Sequence, residues 1–144
     1  MLFPMASGSL WLFAKRCAGS AVGHEFEPLS AKILEAALAV HKALGPGFLE
    51  SVYDNALRVA LEHRAIPFAS QMQVRISFEG VEVGVHVLDL VVDDQIVLEL
   101  KAVKALEEIH FAQLRSYLKA TGLRVGLLLN FNAPTLVVKR VVLG

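Results

Sequence analysis

The chain carries a single cysteine, Cys17, a single tryptophan, Trp11, and only two tyrosines, Tyr53 and Tyr117. One cysteine closes no intramolecular disulfide and builds no cysteine-rich zinc site, which fits a reducing compartment; a cytoplasmic location is expected. No apolar run reaches the roughly 20 residues that a membrane-spanning helix requires, so no membrane partner is expected. Charged residues make up 19% of the chain, too few for a disordered or coiled-coil protein. Net charge is absent as well: 14 basic and 14 acidic residues cancel. That balance argues against coating nucleic acid by bulk electrostatics. There is no glycine-rich phosphate loop, no G-x-S-x-G and no cysteine placed for nucleophilic catalysis. The histidines, His24, His41, His63, His86 and His110, include no pair at a zinc-ligand spacing on one element, which disfavours a histidine-based zinc site. His41, near the end of an expected helix, reads as a partner of the helix dipole.

What is present is apolar: 55% of 144 residues, enough for one domain with a real core. Charge is unevenly spread. Residues 1–100 hold 7 basic and 12 acidic groups, whereas residues 101–144 hold 7 basic and 2 acidic. A locally basic surface beside an acidic pocket would suit an enzyme acting on phosphates. Residues 1–23 mix small and apolar types, and Lys15 and Arg16 follow the apolar part rather than precede it, the wrong order for a signal peptide. They are expected to form a poorly ordered extension, with residues 24–144 the folded domain.

Ser30 is placed to cap a helix whose apolar positions Ile33, Leu34, Ala37, Val40 and Leu44 recur at spacings of three and four. Gly45-Pro46-Gly47 stops it, and a second helix is expected from Phe48 to Glu62, with Leu49, Val52, Tyr53, Ala56, Leu57 and Ala60 inward. Met72, Val74, Ile76 and Phe78 alternate with polar residues, as in a half-buried strand. Two further strands, a helix from Leu106 to Ala120 stopped at Thr121-Gly122, and strands at Arg124–Phe131 and Thr135–Leu143 follow. The order ααβββαββ predicts an α/β or α+β fold, a central mixed sheet flanked by helices.

The segment Val85–Lys101, V-H-V-L-D-L-V-V-D-D-Q-I-V-L-E-L-K, reads as a hairpin with the tip Asp93-Asp94-Gln95. If Val92 pairs with Ile96 across this three-residue loop, Asp89 stands opposite Glu99, and Lys101 follows on the same face. Leu88, Leu90, Val92, Ile96, Leu98 and Leu100 would face the core, leaving the three charges among Val85, Val87, Val91 and Val97. Charges in such surroundings need a partner or a cation. Two readings stay open: a seat for a divalent metal, or a salt-bridged surface pair. Glu50 lies in a helix first turn, where the dipole alone favours a carboxylate; Tyr53 is one turn on. Gln113 and Tyr117 share a helix face, with His110 a turn earlier. They would serve as core polar groups, or orient a metal ligand, or touch a sugar-phosphate backbone.

Gly47-Phe48-Leu49-Glu50-Ser51-Val52-Tyr53, then Glu99-Leu100-Lys101-Ala102-Val103, Ala112-Gln113-Leu114-Arg115-Ser116-Tyr117 and Gly126-Leu127-Leu128-Leu129-Asn130-Phe131 together resemble the GxxExxY proteins, a group within the PD-(D/E)XK nuclease-like superfamily. The similarity spans about residues 24–143. It implies a restriction-endonuclease-like core and Mg²⁺, with Mn²⁺ as a substitute. It implies Glu50, Asp89 and Glu99 as metal ligands and Lys101 as the catalytic lysine. Gln113 and Tyr117 match a Q-x-x-x-Y element, and Tyr53 closes the GxxExxY motif. Val87 stands where related sequences often carry a basic residue two before the aspartate. The activity implied is metal-dependent hydrolysis of DNA phosphodiesters, with a homodimer compatible with it. The alternative is an inactive nuclease fold that binds nucleic acid or protein.

Overall fold

In the computed structural model, residues 27–144 are described, so the expected extension at residues 1–23 lies outside them. Helix α1 spans Glu27–Leu44 and α2 spans Glu50–His63; strands β1 (Phe68–Phe78), β2 (Val81–Val92) and β3 (Ile96–Lys101) follow. Helix α3 (Glu108–Thr121) then leads to β4 (Val125–Asn130) and β5 (Val137–Val142). The expected order ααβββαββ is the observed one. The five strands form one sheet in sequence order. Only the β3–β4 pair is parallel; the other three pairs are antiparallel.

Two apolar layers hold the sheet between helices. On one face Ile33, Ala37, Tyr53, Leu57 and Leu61 of α1 and α2 meet Leu90, Leu98, Leu100, Leu127 and Leu129. On the other, Leu114 and Leu118 of α3 pack on Val74, Leu88, Val91, Val97, Leu128 and Val141. Every residue of β4 is buried, as expected of a central strand covered on both sides. Gly126 lets α3 come close: a Cβ there would lie 2.8 Å from the Leu114 side chain.

Three local expectations are corrected. Ser30 does not cap α1; the helix already includes Glu27 and Pro28, proline being well suited to a first turn, and Ser30 is buried inside it. Leu49 does not face inward. It is the extended residue preceding α2 and is 76% exposed. His110 does not join Gln113 and Tyr117 at a site, because its Nδ1 accepts the Glu107 backbone N–H at 2.9 Å in a capping box. His41 lies in the last turn of α1, and its Nε2 is 2.9 Å from the Ala133 carbonyl oxygen.

The candidate metal and nuclease site

The β2–β3 hairpin has the register that the three-residue tip demands: Val92 pairs with Ile96, Val91 with Val97 and Leu90 with Leu98. Asp93 and Asp94 both take positive φ, which a short polar side chain tolerates better than most. Beyond Leu90 and Leu98 the ladder stops, and side chains replace it. Leu100 N–H donates to Asp89 Oδ2 at 2.9 Å, and the Glu99 carboxyl accepts the Asp89 backbone N–H. The other flank of Asp89 lapses too. Ser70 pairs with Leu90 and Met72 with Leu88, while Gln71 between them adopts φ +56° and pairs with nothing.

This double lapse makes β2 change faces at Asp89, which corrects the simple alternation. Leu88 belongs to the α3 side rather than joining Leu90 on the α1–α2 side. Val85 and Val87 are 48% and 40% exposed, so only Val91 and Val97 supply buried valines beside the charges. The same switch brings His86 into the site, a residue that strict alternation hid. Its ring stacks on Tyr117 with centroids 3.6 Å apart and planes at 13°. Its Nε2 lies 4.0 Å from Glu99 Oε1.

Glu99 is only 6% exposed. Burial, then the negative charge of Asp89, pushes its pKa up to about 8, against the opposing pull of Lys101. Asp89 is also raised, first by burial, with the Leu100 N–H working the other way. The two carboxyls also act on one another, the Asp89 side chain helping to raise Glu99 and the Glu99 side chain offsetting part of the rise at Asp89. Tyr117 is raised by burial and by the charges of Glu99 and Asp89, so it too senses the pair. His86 is lowered by burial.

A helix brings the third carboxylate. Tyr53, fully buried and stacked on Phe131 at 4.7 Å, donates its hydroxyl to Gly45 O at 2.5 Å and accepts Phe48 N–H at 3.1 Å. It thus ties down the loop that launches α2, rather than pointing at the hairpin. Glu50, at the start of α2, keeps access to solvent. Its pKa is nevertheless raised, first by loss of surrounding water and then by Asp89, with Lys101 opposing. One turn on, Asp54 adds its charge to both Glu50 and Asp89 while held by Arg58 Nε at 2.8 Å. The spacing of four from Glu50 was the available signal for it.

Lys101 closes β3 opposite Asn130 of β4. The buried Asn130 side chain grips the following loop, Nδ2 donating to Val103 O at 2.9 Å and Oδ1 accepting Val103 N–H at 3.1 Å. The lysine is thereby held at the sheet end, where its charge acts on Glu50, His86, Asp89 and Glu99. Gln113 is exposed on α3, one turn before Tyr117.

A family profile described as the PD-(D/E)XK nuclease superfamily matches residues 27–141. The chain belongs to the PD-(D/E)XK nuclease superfamily. No curated protein and no solved structure matches it. PD-(D/E)XK nucleases generally use divalent metal ions, and the donor set suits one. Glu99 Oε1 is buried without a hydrogen-bond partner, and the neighbouring Asp89 carboxyl is raised with it, where a cation would offset both charges. The cage is incomplete, however. Among the described residues no three His, Cys, Asp or Glu side chains stand close enough to enclose an ion. The hairpin brings Asp89 and Glu99 together; Glu50 is within their electrostatic reach but exposed. Among the described residues no helix is long and apolar enough to cross a membrane.

Proposed function

We propose that the chain is a GxxExxY-type PD-(D/E)XK nuclease that hydrolyses DNA phosphodiester bonds with Mg²⁺ or Mn²⁺. The observation that carries this reading is the buried Glu99 carboxyl set beside Asp89 and Lys101 at the splayed end of the hairpin, where Leu100 N–H holds Asp89. Placing two carboxyls in a poorly hydrated spot is unfavourable for a folded chain unless a cation repays it on binding. Asp89, Glu99 and Glu50 would hold that ion. When bound, a divalent cation lowers the pKa of a coordinated water and offsets charge gathering on the phosphoryl oxygens.

The protein groups do the rest. Lys101 orients the attacking water and pairs with the scissile phosphate. The water oxygen forms the new P–O bond, the opposite P–O bond breaks, and the departing oxygen takes up a proton. Asp89 keeps its orientation through the Leu100 N–H, and Tyr53 keeps Glu50 at the mouth of the site by pinning Gly45 and Phe48. Tyr117 and Gln113, on the same face of α3, support the pocket wall on the side a nucleic-acid strand would approach.

Cleavage of single- and double-stranded DNA in Mg²⁺ or Mn²⁺ tests the reading. Wild type should cut only with metal present, and Asp89→Ala and Lys101→Ala should each lose at least about a hundredfold in rate. Cleavage that persists in both variants, or is absent from all three proteins, contradicts it.

A further inference from the structure

A sheet edge offers a row of unpaired backbone groups, which proteins usually guard with charge, proline or a covering element. The two edge strands among the described residues are β1 and β5. On β5, Lys139 and Arg140 stand exposed in succession, and a second copy of that edge would meet like charges. β1 is different. Its 11 residues include one charge, Arg75, and Glu82 of β2 already holds that guanidinium at 2.7 Å. The outer part of β1 projects with β2 as a two-stranded arm, because β2 pairs with β3 only from Leu90 to Val92. Phe78, Val81, Val83, Val85 and Val87 on this arm are 40–66% exposed. Gln71, at φ +56°, interrupts β1, which leaves Met72–Phe78 as a regular stretch centred on Arg75. At one end of it lies a hollow of about 410 Å³ lined by Ala69, Ser70, Gln71, Met72, Gln73 and Arg75. These belong to β1 alone, so the hollow opens on the free edge. At the other end stands Phe78, 66% exposed.

We propose that β1 is a dimerisation edge, pairing antiparallel with β1 of a second copy across a two-fold axis at Arg75. A strand paired with itself in this way sets each residue opposite the one equally far beyond the centre. Met72 then faces Phe78, Gln73 faces Ser77 and Val74 faces Ile76. Each Phe78 ring arrives at the hollow of the other copy, so knob and hole are both supplied twice. The two Arg75 side chains meet at the axis, each with its Glu82, so opposite charges alternate there and like charges are offset. Main-chain hydrogen bonds along the edge supply affinity, as in other strand additions. One strand and one aromatic anchor per copy make a contact below about 1,200 Å² in total, the size of a transient interface. A dissociation constant in the micromolar range is therefore expected. The inference is independent of the metal-site reading, since none of its residues belongs to that site.

Sedimentation velocity of the full chain between about 1 and 200 µM measures it. Wild type should pass from monomer to dimer across that range. Phe78→Lys and Gln73→Lys lie at exposed positions, and each should weaken the dimer about tenfold or more. Their melting temperatures at low concentration should equal that of wild type. A spin label at Ser77→Cys, in a Cys17→Ser background, supplies a readout that needs neither lysine variant. The two labelled Cα atoms should lie about 14 Å apart, four residues of strand rise along and one strand spacing across. Wild type that stays monomeric throughout overturns the proposal. A dimer that both lysine variants leave intact, or whose labels stand more than about 35 Å apart, overturns it as well.

Discussion

At the residue scale the decisive group is Glu99. Its pKa of about 8 compares with an ordinary 4.5, so between those values the folded chain holds a proton that the unfolded chain has released. The native state then binds more protons, and stability must fall as pH rises through that window. The raised pKa of Asp89 acts in the same direction. Thermal unfolding of the metal-free protein should therefore show a melting temperature that declines from about pH 4.5 to about pH 8. Glu99→Gln should flatten the decline and melt higher than wild type near pH 8; an unchanged slope would remove Glu99 as its source. Tyr53 supplies a second residue-scale test. Tyr53→Phe retains the stack on Phe131 but leaves Gly45 O and Phe48 N–H without their hydroxyl. A loss of about 1–2 kcal/mol is expected by chemical denaturation, together with slower cleavage because Glu50 follows that loop. Single side chains were unevenly legible. Asp54 could be found from its spacing to Glu50. His86 could not, because its place depends on a backbone distortion two strands wide.

At the scale of elements, the hairpin and the close approach of α3 position the site. The register was readable because three polar residues separate two apolar runs, and a tip of that length fixes which residues face each other. The face of each residue was readable only as far as Leu90. Beyond it, Gln71 on β1 takes a left-handed conformation and β2 leaves β3, so the alternation of β2 restarts with the opposite parity. No pattern within β2 itself announces that event. The start of α1 was misread for a different reason: Ser30 is a good cap in isolation, but Pro28 allows the helix to begin earlier. The approach of α3 yields its own prediction. Gly126→Ala places a methyl group 2.8 Å from Leu114, and Leu114 is fully buried with little room to retreat. It should cost about 1–3 kcal/mol in denaturant unfolding, partly recovered by Leu114→Val. An additive double mutant would show that the two do not meet.

At the scale of the whole molecule, a five-stranded mixed sheet between α1–α2 and α3 brings groups from four elements to one sheet end. Glu50 comes from α2, His86 and Asp89 from β2, Glu99 and Lys101 from β3, and Tyr117 from α3. The element order and class followed from periodicity alone, since each apolar run met the face that buries it. The convergence did not, because it depends on where the ladder opens. The central claim is that this convergence takes a divalent cation in exchange for the proton that the raised pKa of Glu99 holds. Isothermal titration of Mn²⁺ at pH 7 in two buffers of different ionisation enthalpy measures binding and proton release together. The account predicts about one proton released per ion in wild type, and none in Glu99→Gln. Binding that releases no proton from wild type, or affinity untouched by Asp89→Asn, would contradict it.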